Sequence, residues 1–381
     1  MIAPIFDPEN WSRVHFHFWS VVFFVLGSMV GSFLNVCIYR MPLGLSVVSP
    51  PSHCPHCKYS IPWFLNMPLI TWIVLRGKCK NCSAPISARY FLVELLTGVM
   101  FLFAWWTHGQ NSPMLALIYS LVLAGMIAGT FIDFDHYIIP DEITIGGVVA
   151  GLSCSLFYPM LHAQNSIGSS LWQGLVGAGV GFGVVYAIVR LGKLMFGRQR
   201  VELPLDTKII FSESAVHLPT GDIPYGELFY RQSDEIVIEA KTLELIDRCY
   251  VNVKVRLSPK RLRIGDEEFD PETVHQMEAV GAEITLPREA MGFGDVKFMA
   301  AIGAFLGWQA TIFALFASSF IGATVGIIGM SLKGREKFAR IPYGPYIAAA
   351  AAIWIFLPQG LREEAKHIIS MFNFFSPPLP N

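Results

Sequence analysis

The chain has 381 residues, of which 53% are hydrophobic and 15% charged, and its mean hydropathy is +0.48. Such a composition is too apolar for an ordinary soluble protein and predicts a membrane protein. A net charge of -1 excludes a general basic surface, so nucleic acid is not an expected partner. The start of the sequence lacks a basic segment and a small-residue cleavage site, so we expect the first apolar run to remain as a transmembrane helix.

Apolar runs that resemble membrane crossings occur eight times along the sequence. A helix needs ~20 mostly apolar residues to cross a bilayer. The runs cover residues 17–38, 91–107, 114–132, 143–160, 170–191, 296–308, 311–330 and 343–357. They predict an all-α polytopic membrane protein with about eight transmembrane helices in contact with lipid, with seven or nine as alternatives because several runs are short.

Basic residues indicate which loops face the cytoplasm. The loop after the first run contains no acidic residue before Glu94. Its basic residues are Arg40, Lys58, Arg76, Lys78, Lys80 and Arg89. Because cytoplasmic loops are rich in Lys and Arg, we expect this loop inside, and by alternation both termini outside.

Residues 198–290 differ from the rest of the chain. Charged residues recur every few positions, and the stretches EIVIEA (235–240) and VNVKVRL (251–257) alternate as half-buried strands do. This segment is predicted to be an inserted soluble domain, β-rich or α+β, on the cytoplasmic side. The predicted organisation has six parts. Residues 1–39 contain the N-terminal segment and the first transmembrane helix, residues 40–90 the four-cysteine module, and residues 91–197 the transmembrane helices that carry Asp133. Residues 198–290 form the insertion, residues 291–358 the transmembrane helices that start with GFGD, and residues 359–381 the C-terminal tail.

Four cysteines form two CxxC pairs in the first loop. Cys54 and Cys57 are followed, after 21 residues, by Cys79 and Cys82. Two such turns present four thiolates at tetrahedral corners, and a loop of this size lacks a robust core of its own, so the spacing predicts a structural zinc ion. The alternatives are a redox role for the dithiols and a site in which His53 or His56 replaces one cysteine.

Carboxylates at the ends of two apolar runs indicate chemistry. They lie in FIDFDHYIIPD (131–141) and GFGDVK (292–297), where acids bordering hydrocarbon are costly and retained for a purpose. Two carboxylates brought together share one proton, so a pair can activate water and protonate a peptide carbonyl, as in aspartic proteases. The candidates are Asp133, Asp135 or Asp141 on one side and Asp295 on the other.

Residues near the acids are compatible with this interpretation. Gly292 and Gly294 permit unusual backbone angles and let a substrate backbone approach, and Pro140 ends the first segment. Lys297 either extends its side chain to the membrane surface or tunes the charge of Asp295. The simpler alternative is that the acids are a helix N-cap and a solvated loop residue.

Six motifs in order make the chain similar to the type IV prepilin peptidases, a GxGD class of membrane aspartic proteases. The motifs are GSFLNVCIYR (31–40), the CxxC turns with NMPLITWIVLRGKCKNC (66–82), ARYFLVELLTG (88–98), FIDFDHYIIPD (131–141), GFGDVK (292–297) and IPYGPY (341–346). The resemblance implies that Asp133 and Asp295 form the catalytic dyad, with Gly292, Gly294 and Lys297 beside it. It also implies a bacterial inner-membrane protein.

The resemblance further implies a substrate and a second activity. Family members cleave precursors of type IV pilins or type II secretion pseudopilins after a glycine, and many methylate the new N-terminus with S-adenosylmethionine, an activity associated with the cysteine-bearing portion. The sequence has no glycine-rich dinucleotide fingerprint for that methyl donor. The insertion departs from the family pattern, and contact with secretion or pilus machinery is one role for it.

Two rival functions follow from the same residues. One is a broader intramembrane protease resembling presenilin or signal peptide peptidase. The other is a membrane transporter or scaffold, in which Asp133 and Asp295 bind an ion or proton and the zinc module serves for docking. A transporter should place polar groups near the bilayer midplane at a discontinuous helix, whereas a protease needs both carboxylates around one water.

Overall fold

The structure is a computed structural model that describes residues 11, 15–62, 65–219, 221–229, 232, 234–274, 276–287, 292–333 and 342–371. The chain divides into two compact units. One comprises Met1–Tyr186 and Gly292–Asn381, and the other Ala187–Met291.

Helices dominate the first unit, because its apolar runs satisfy their backbone hydrogen bonds internally. Ten helices lie in the described chain, and a π-helical turn, Trp105–Gly109, extends the third. They are α1 Phe16–Arg40, α2 Ile70–Val74, α3 Ala88–Ala104, α4 Pro113–His136, α5 Asp141–Phe157, α6 Ile167–Phe196, α7 Tyr225–Leu228, α8 Phe293–Lys333, α9 Gly344–Phe356 and α10 Gln359–Ser370.

Five helices of the described chain are long and apolar enough to cross a membrane, which makes this a multi-pass membrane protein: α1, α3 with its extension, α4, α6 and α8. Helices α9 and α10, bent by 117°, make a sixth if they count as one span. The predicted count of eight is not confirmed. Runs 296–308 and 311–330 are two helices that are joined in α8 across a break at Gly307, where φ is 81° and the backbone is not helical. Helix α5 has 17 residues, short of the ~20 that span a bilayer.

Small residues bring α8 close to its neighbours. A Cβ on Gly151 of α5 would lie 2.8 Å from the Cβ of Ala304 in α8. A Cβ on Gly177 of α6 would lie 2.1 Å from the carbonyl oxygen of Gly303. Backbones at this separation pack by van der Waals contact, as small residues allow between membrane helices. The first half of α8 is therefore held tightly by α5 and α6.

The second unit is an antiparallel sheet of eight strands, which confirms the predicted β-sheet insertion. The strands are β1 Arg198–Phe211, β2 Ala215–Leu218, β3 Gly221–Pro224, β4 Ile236–Leu245, β5 Cys249–Ser258, β6 Arg261–Ile264, β7 Glu267–Phe269 and β8 Met277–Pro287. Their order is β3-β2-β1-β8-β4-β5-β6-β7. Alternate side chains, among them Ile209, Ile238, Leu243 and Ile284, are fully buried in one core, as period-2 strands require.

The ends of the insertion lie side by side. Strand β1 begins at Arg198, and β8 ends at Pro287, its antiparallel partner. Neighbouring antiparallel strands are about 5 Å apart. The chain therefore enters and leaves the sheet at almost one point.

Candidate functional site

Asp133 lies in the last turn of α4 and is 5% exposed. Its Oδ2 accepts a hydrogen bond of 2.9 Å from the backbone N–H of Gly344, the first residue of α9. Tyr137 ends α4 in the left-handed region, with φ 56°, and donates its N–H to the Asp133 carbonyl at 3.0 Å. Asp133 is thus fixed through its backbone and through its side chain.

Asp295 lies in the first turn of α8 and is 7% exposed. Its N–H donates to the carbonyl of Gly292 at 3.2 Å. Its carboxylate is near enough to Asp133 for the two to interact electrostatically, and its Oδ1 has no hydrogen-bond partner among the described residues. Two buried carboxylates in this arrangement are suited to share one proton.

Ile139 fills the space between the turns that carry the acids. A Cβ on Gly294 would lie 3.4 Å from the Ile139 nitrogen, and one on Gly344 would lie 3.0 Å from its Cδ1. Gly292 has more room, since its nearest neighbour would be the Asp295 carboxylate at 3.5 Å. The segment after α4 therefore packs against the starts of both α8 and α9, and three helix ends meet at the two acids.

The other two acids of the first motif are exposed and paired. Asp135 accepts a 2.5 Å hydrogen bond from Arg89 of α3. Asp141, at the start of α5, forms an ion pair with Lys297. Asp133 alone of these three is buried, and Lys297 reaches Asp141 while its ammonium lies 5.5 Å from the centre of the Phe293 ring.

Gly344 is the site residue that sequence reasoning missed. The segment IPYGPY was recognised as a motif, but no member received a role. The only local signal was a glycine placed next to Pro345, and the bond to Asp133 is made by its backbone rather than by a side chain. A Cβ at this position would lie 2.8 Å from Asp133 Oδ2, closer than at the other glycines of the site.

The four cysteines come together between α1 and α3, as predicted. All four sulfur atoms lie within 4.8 Å of one another. Cys54 and Cys82 are 3.8 Å apart at sulfur, and Cys57 and Cys79 are 4.0 Å apart. Sulfurs at about 2.3 Å from a tetrahedral zinc ion are about 3.8 Å from each other. The cluster therefore fits four-thiolate zinc coordination.

The two halves of the cluster are built alike. Lys58 donates its N–H to the carbonyl of Cys54 at 2.9 Å, and Ser83 donates to that of Cys79 at 2.9 Å. Lys58 and Ser83 share a left-handed conformation, with φ 57° in both. Each half is thus a tight turn that directs two thiols to one point. Neither His53 nor His56 belongs to the group of potential metal ligands among the described residues.

The environment favours a thiolate at two of the four cysteines, Cys57 and Cys79. At Cys82 a backbone hydrogen bond from Ala84 lowers the pKa, but burial and the neighbouring thiols outweigh it and raise the pKa to about 12. Hydrogen bonding from the Asn81 side chain lowers the pKa of Cys57 to about 6. The backbone N–H of Cys82 lowers the pKa of Cys79. Because the thiolate is the form that binds metal, this part of the module is prepared for a cation.

Two protein-family models match the chain. The bacterial peptidase A24 N-terminal domain matches residues 25–108, which include the cysteine cluster. The type IV leader peptidase family matches residues 120–199 and 277–327, which include both buried acids. The gap in the second match spans most of the inserted sheet.

Proteins named prepilin leader peptidase/N-methyltransferase are similar to this chain. The one from Dichelobacter nodosus is 34% identical over 208 residues, which are 47% of this chain and 69% of that protein. The one from Myxococcus xanthus (strain DK1622) is 31% identical over 317 residues, which are 83% of this chain but 64% of the relative. The Aeromonas hydrophila protein is 28% identical over 361 residues, covering 88% and 89%. No solved structure matches the chain.

Proposed function

Since the chain belongs to the type IV leader peptidase family, we propose that it is a membrane aspartic endopeptidase that removes the leader from type IV prepilins or type II secretion pseudopilins. We also propose that it methylates the N-terminus released by that cleavage, as the names of its relatives state for them.

One observation carries the peptidase proposal. Asp133 and Asp295 come from two helix ends and are almost fully buried, and Ile139 packs both beside Gly294, which precedes Asp295, and beside Gly344, which is bonded to Asp133. In the reaction, one carboxylate accepts a proton from water as the water oxygen bonds to the scissile carbonyl carbon, and the other donates its proton to the carbonyl oxygen. The C–N bond of this tetrahedral species then breaks, and the departing amine takes up a proton.

The location of the acids disfavours a transporter. Asp133 is in the last turn of α4, and Asp295 is in the first turn of α8. The break in α8 is at Gly307, where the nearest side chains are those of His162 and Gln309. A transporter would place its carboxylates at such a break, whereas both carboxylates of this pair lie at helix ends.

The peptidase is proposed to act at the cytoplasmic face of the bacterial inner membrane. The cysteine loop carries a strong excess of Lys and Arg, which favours the cytoplasmic side. Arg89, at the end of that loop, is bonded to Asp135, two residues beyond Asp133 in α4. This contact supports the same side for the loop and the dyad.

Zinc is the metal that the cysteine module is proposed to bind. Cys54, Cys57, Cys79 and Cys82 supply four sulfur ligands at distances suited to a tetrahedral ion. With four protein ligands no position is open for water or substrate, so the role of the ion is structural.

S-adenosylmethionine is the proposed methyl donor, because the relatives are named N-methyltransferases. A cavity of ≈ 300 Å³ between the second half of α1 and the cysteine module is the proposed place for it, with Phe33, Arg40 and Asn66 among its lining residues. The Arg40 guanidinium donates to the carbonyls of Ser46 and Pro50. When bound, the donor supplies a methyl group on a sulfonium centre.

The inserted sheet is proposed to contact secretion or pilus machinery. A groove of ≈ 360 Å³ on its surface is lined by charges of both signs. They are Arg198, Arg200, Lys254 and Arg256 together with Glu235, Glu239 and Glu283. Such a mixed surface favours a specific protein partner over a membrane or nucleic acid.

The test is cleavage of a pilin precursor by membranes that contain Asp133→Asn or Asp295→Asn. Asn keeps the shape of the side chain but cannot exchange the proton, so we expect each variant to lose ~10³-fold or more of the cleavage rate. Asp135→Asn is the matched control, because it changes an exposed acid of the same motif, and it should retain most activity. Wild-type cleavage by either dyad variant would refute the assignment of that residue.

A further inference from the structure

We propose that Gly344 is the positioning residue of the peptidase, and that its backbone N–H occupies Oδ2 of Asp133 so that Oδ1 is the oxygen that takes the proton from water. This inference rests on the proposed function of the dyad. It assigns a role to a residue on a third chain segment, distant in sequence from both acids.

The contact is short and leaves no space for a side chain. The Gly344 nitrogen lies 2.9 Å from Asp133 Oδ2, in a buried setting. A Cβ on Gly344 would meet that oxygen at 2.8 Å and Ile139 Cδ1 at 3.0 Å. Ile139 also contacts the turn at Gly294, so it cannot retreat without disturbing the start of α8. Glycine is therefore required here for close approach.

The turn before α9 is itself anchored. The Tyr343 hydroxyl lies 2.9 Å from the Ser318 hydroxyl and 3.0 Å from that of Ser319, both on α8. Helix α8 also carries Asp295 in its first turn. The chain that begins with the second acid therefore continues, past the break at Gly307, to the two serines that hold the turn of Gly344.

The bond determines which oxygen is free to react. The hydrogen bond from Gly344 draws electron density to Oδ2 of Asp133, so Oδ1 is the more basic of the two oxygens. The proton of attacking water then passes to Oδ1, and the proton delivered to the substrate carbonyl comes from Asp295. Catalysis depends on such positioning, and a displacement of ~1 Å can cost ~100-fold in rate.

Gly344→Ala tests the proposal with two readouts on one enzyme. We expect kcat for cleavage of a prepilin to fall ~100-fold, because the added carbon displaces the carboxylate, while KM changes little. Methylation of an already cleaved pilin should be unchanged. Gly125→Ala is the control, since Gly125 lies on the same helix as Asp133 and a Cβ there meets nothing within 4 Å.

The outcomes separate this inference from the proposed function. If Asp133→Asn abolishes cleavage but Gly344→Ala cleaves with wild-type kcat, the positioning role is wrong and the dyad stands. If Asp133→Asn also cleaves normally, the proposed function fails first.

Tyr343→Phe decides the question if Gly344→Ala does not accumulate. It removes only the hydroxyl that reaches Ser318 and Ser319. A drop of kcat of about 5-fold with unchanged KM, equivalent to about 1 kcal/mol, supports the anchored turn. Wild-type kcat contradicts it.

Discussion

The cysteine module and the pair of aspartates are both small constellations of ionisable side chains, but they are assembled in opposite ways. Each half of the cysteine cluster closes within a few residues, through equal turns ending at Lys58 and Ser83. The acids need three helix ends, at Asp133, Asp295 and Gly344, which the sequence holds far apart. The first site is built by local turns, and the second by the packing of membrane helices.

Because the two sites are assembled separately, we expect loss of the metal to reduce methylation more than prepilin cleavage. In Cys79→Ser the cluster keeps three thiols, so we expect the zinc content to fall toward zero and methylation to drop ~100-fold. Prepilin cleavage should fall less than 10-fold. Zinc analysis and both assays on the purified enzyme provide the measurement, with Cys249→Ser, an exposed cysteine of the insertion, as the control.

A change to the helix packing around the dyad should have the opposite effect and reduce cleavage more than methylation. Lys297→Met removes the ion pair with Asp141 that joins the starts of α8 and α5, so we expect cleavage to fall about 10-fold with methylation unchanged. Lys297→Met with Asp141→Asn should be no worse than the worse single variant, since both remove one interaction. Additive losses in this double-mutant cycle would show that Lys297 acts elsewhere.

Arg89 is a direct contact between the two regions. Its guanidinium pairs with Asp135 at 2.5 Å and lies 5.2 Å from the centre of the Phe131 ring. Both partners of the ion pair are about one-third exposed, so Arg89→Ala should cost ~1 kcal/mol or less, measured as a modest fall in unfolding temperature. Zinc removal and Arg89→Ala can also be combined. If each lowers cleavage by the same factor and the combination lowers it no further, the cysteine module and the pair of aspartates are coupled through the Arg89–Asp135 contact.

Replacing the inserted sheet by a linker should have the smallest effect on cleavage. Because β1 and β8 pair at Arg198 and Pro287, a short linker can replace the sheet with little strain, and long loops cost little extra closure entropy. We expect cleavage of a purified prepilin to stay within ~3-fold of wild type. A large loss would mean that the sheet contributes to the peptidase itself.

The sequence predicted the locally built site more completely than the assembled one. CxxC spacing was enough to bring four cysteines together, because each turn is set by its neighbours. The choice of Asp133 over Asp135 and Asp141 came from family resemblance. In the structure, Asp135 and Asp141 differ from Asp133 because each forms an ion pair with a residue distant in sequence, Asp135 with Arg89 and Asp141 with Lys297. No local sequence pattern contains these pairs.

Neither the role of Gly344 nor the number of membrane spans could be predicted from the sequence, and the reasons are related. The bond to Asp133 uses a backbone N–H, which every residue except proline possesses, so residue type carried little information. The apolar runs on either side of Gly307 form two helices joined at that residue, and hydropathy alone does not show whether such a break separates two spans or interrupts one. The inserted sheet was predicted because its alternating strands are a strong local signal.

The most direct test of the account is to measure cleavage and methylation on the same preparation of Asp295→Asn. The account predicts cleavage reduced by ~10³-fold or more, with zinc content and methylation of an already cleaved pilin at wild-type levels, because the two activities use separate sites. Retained cleavage would contradict the catalytic role of Asp295, and simultaneous loss of methylation in a folded, zinc-loaded enzyme would contradict the separation of the two sites.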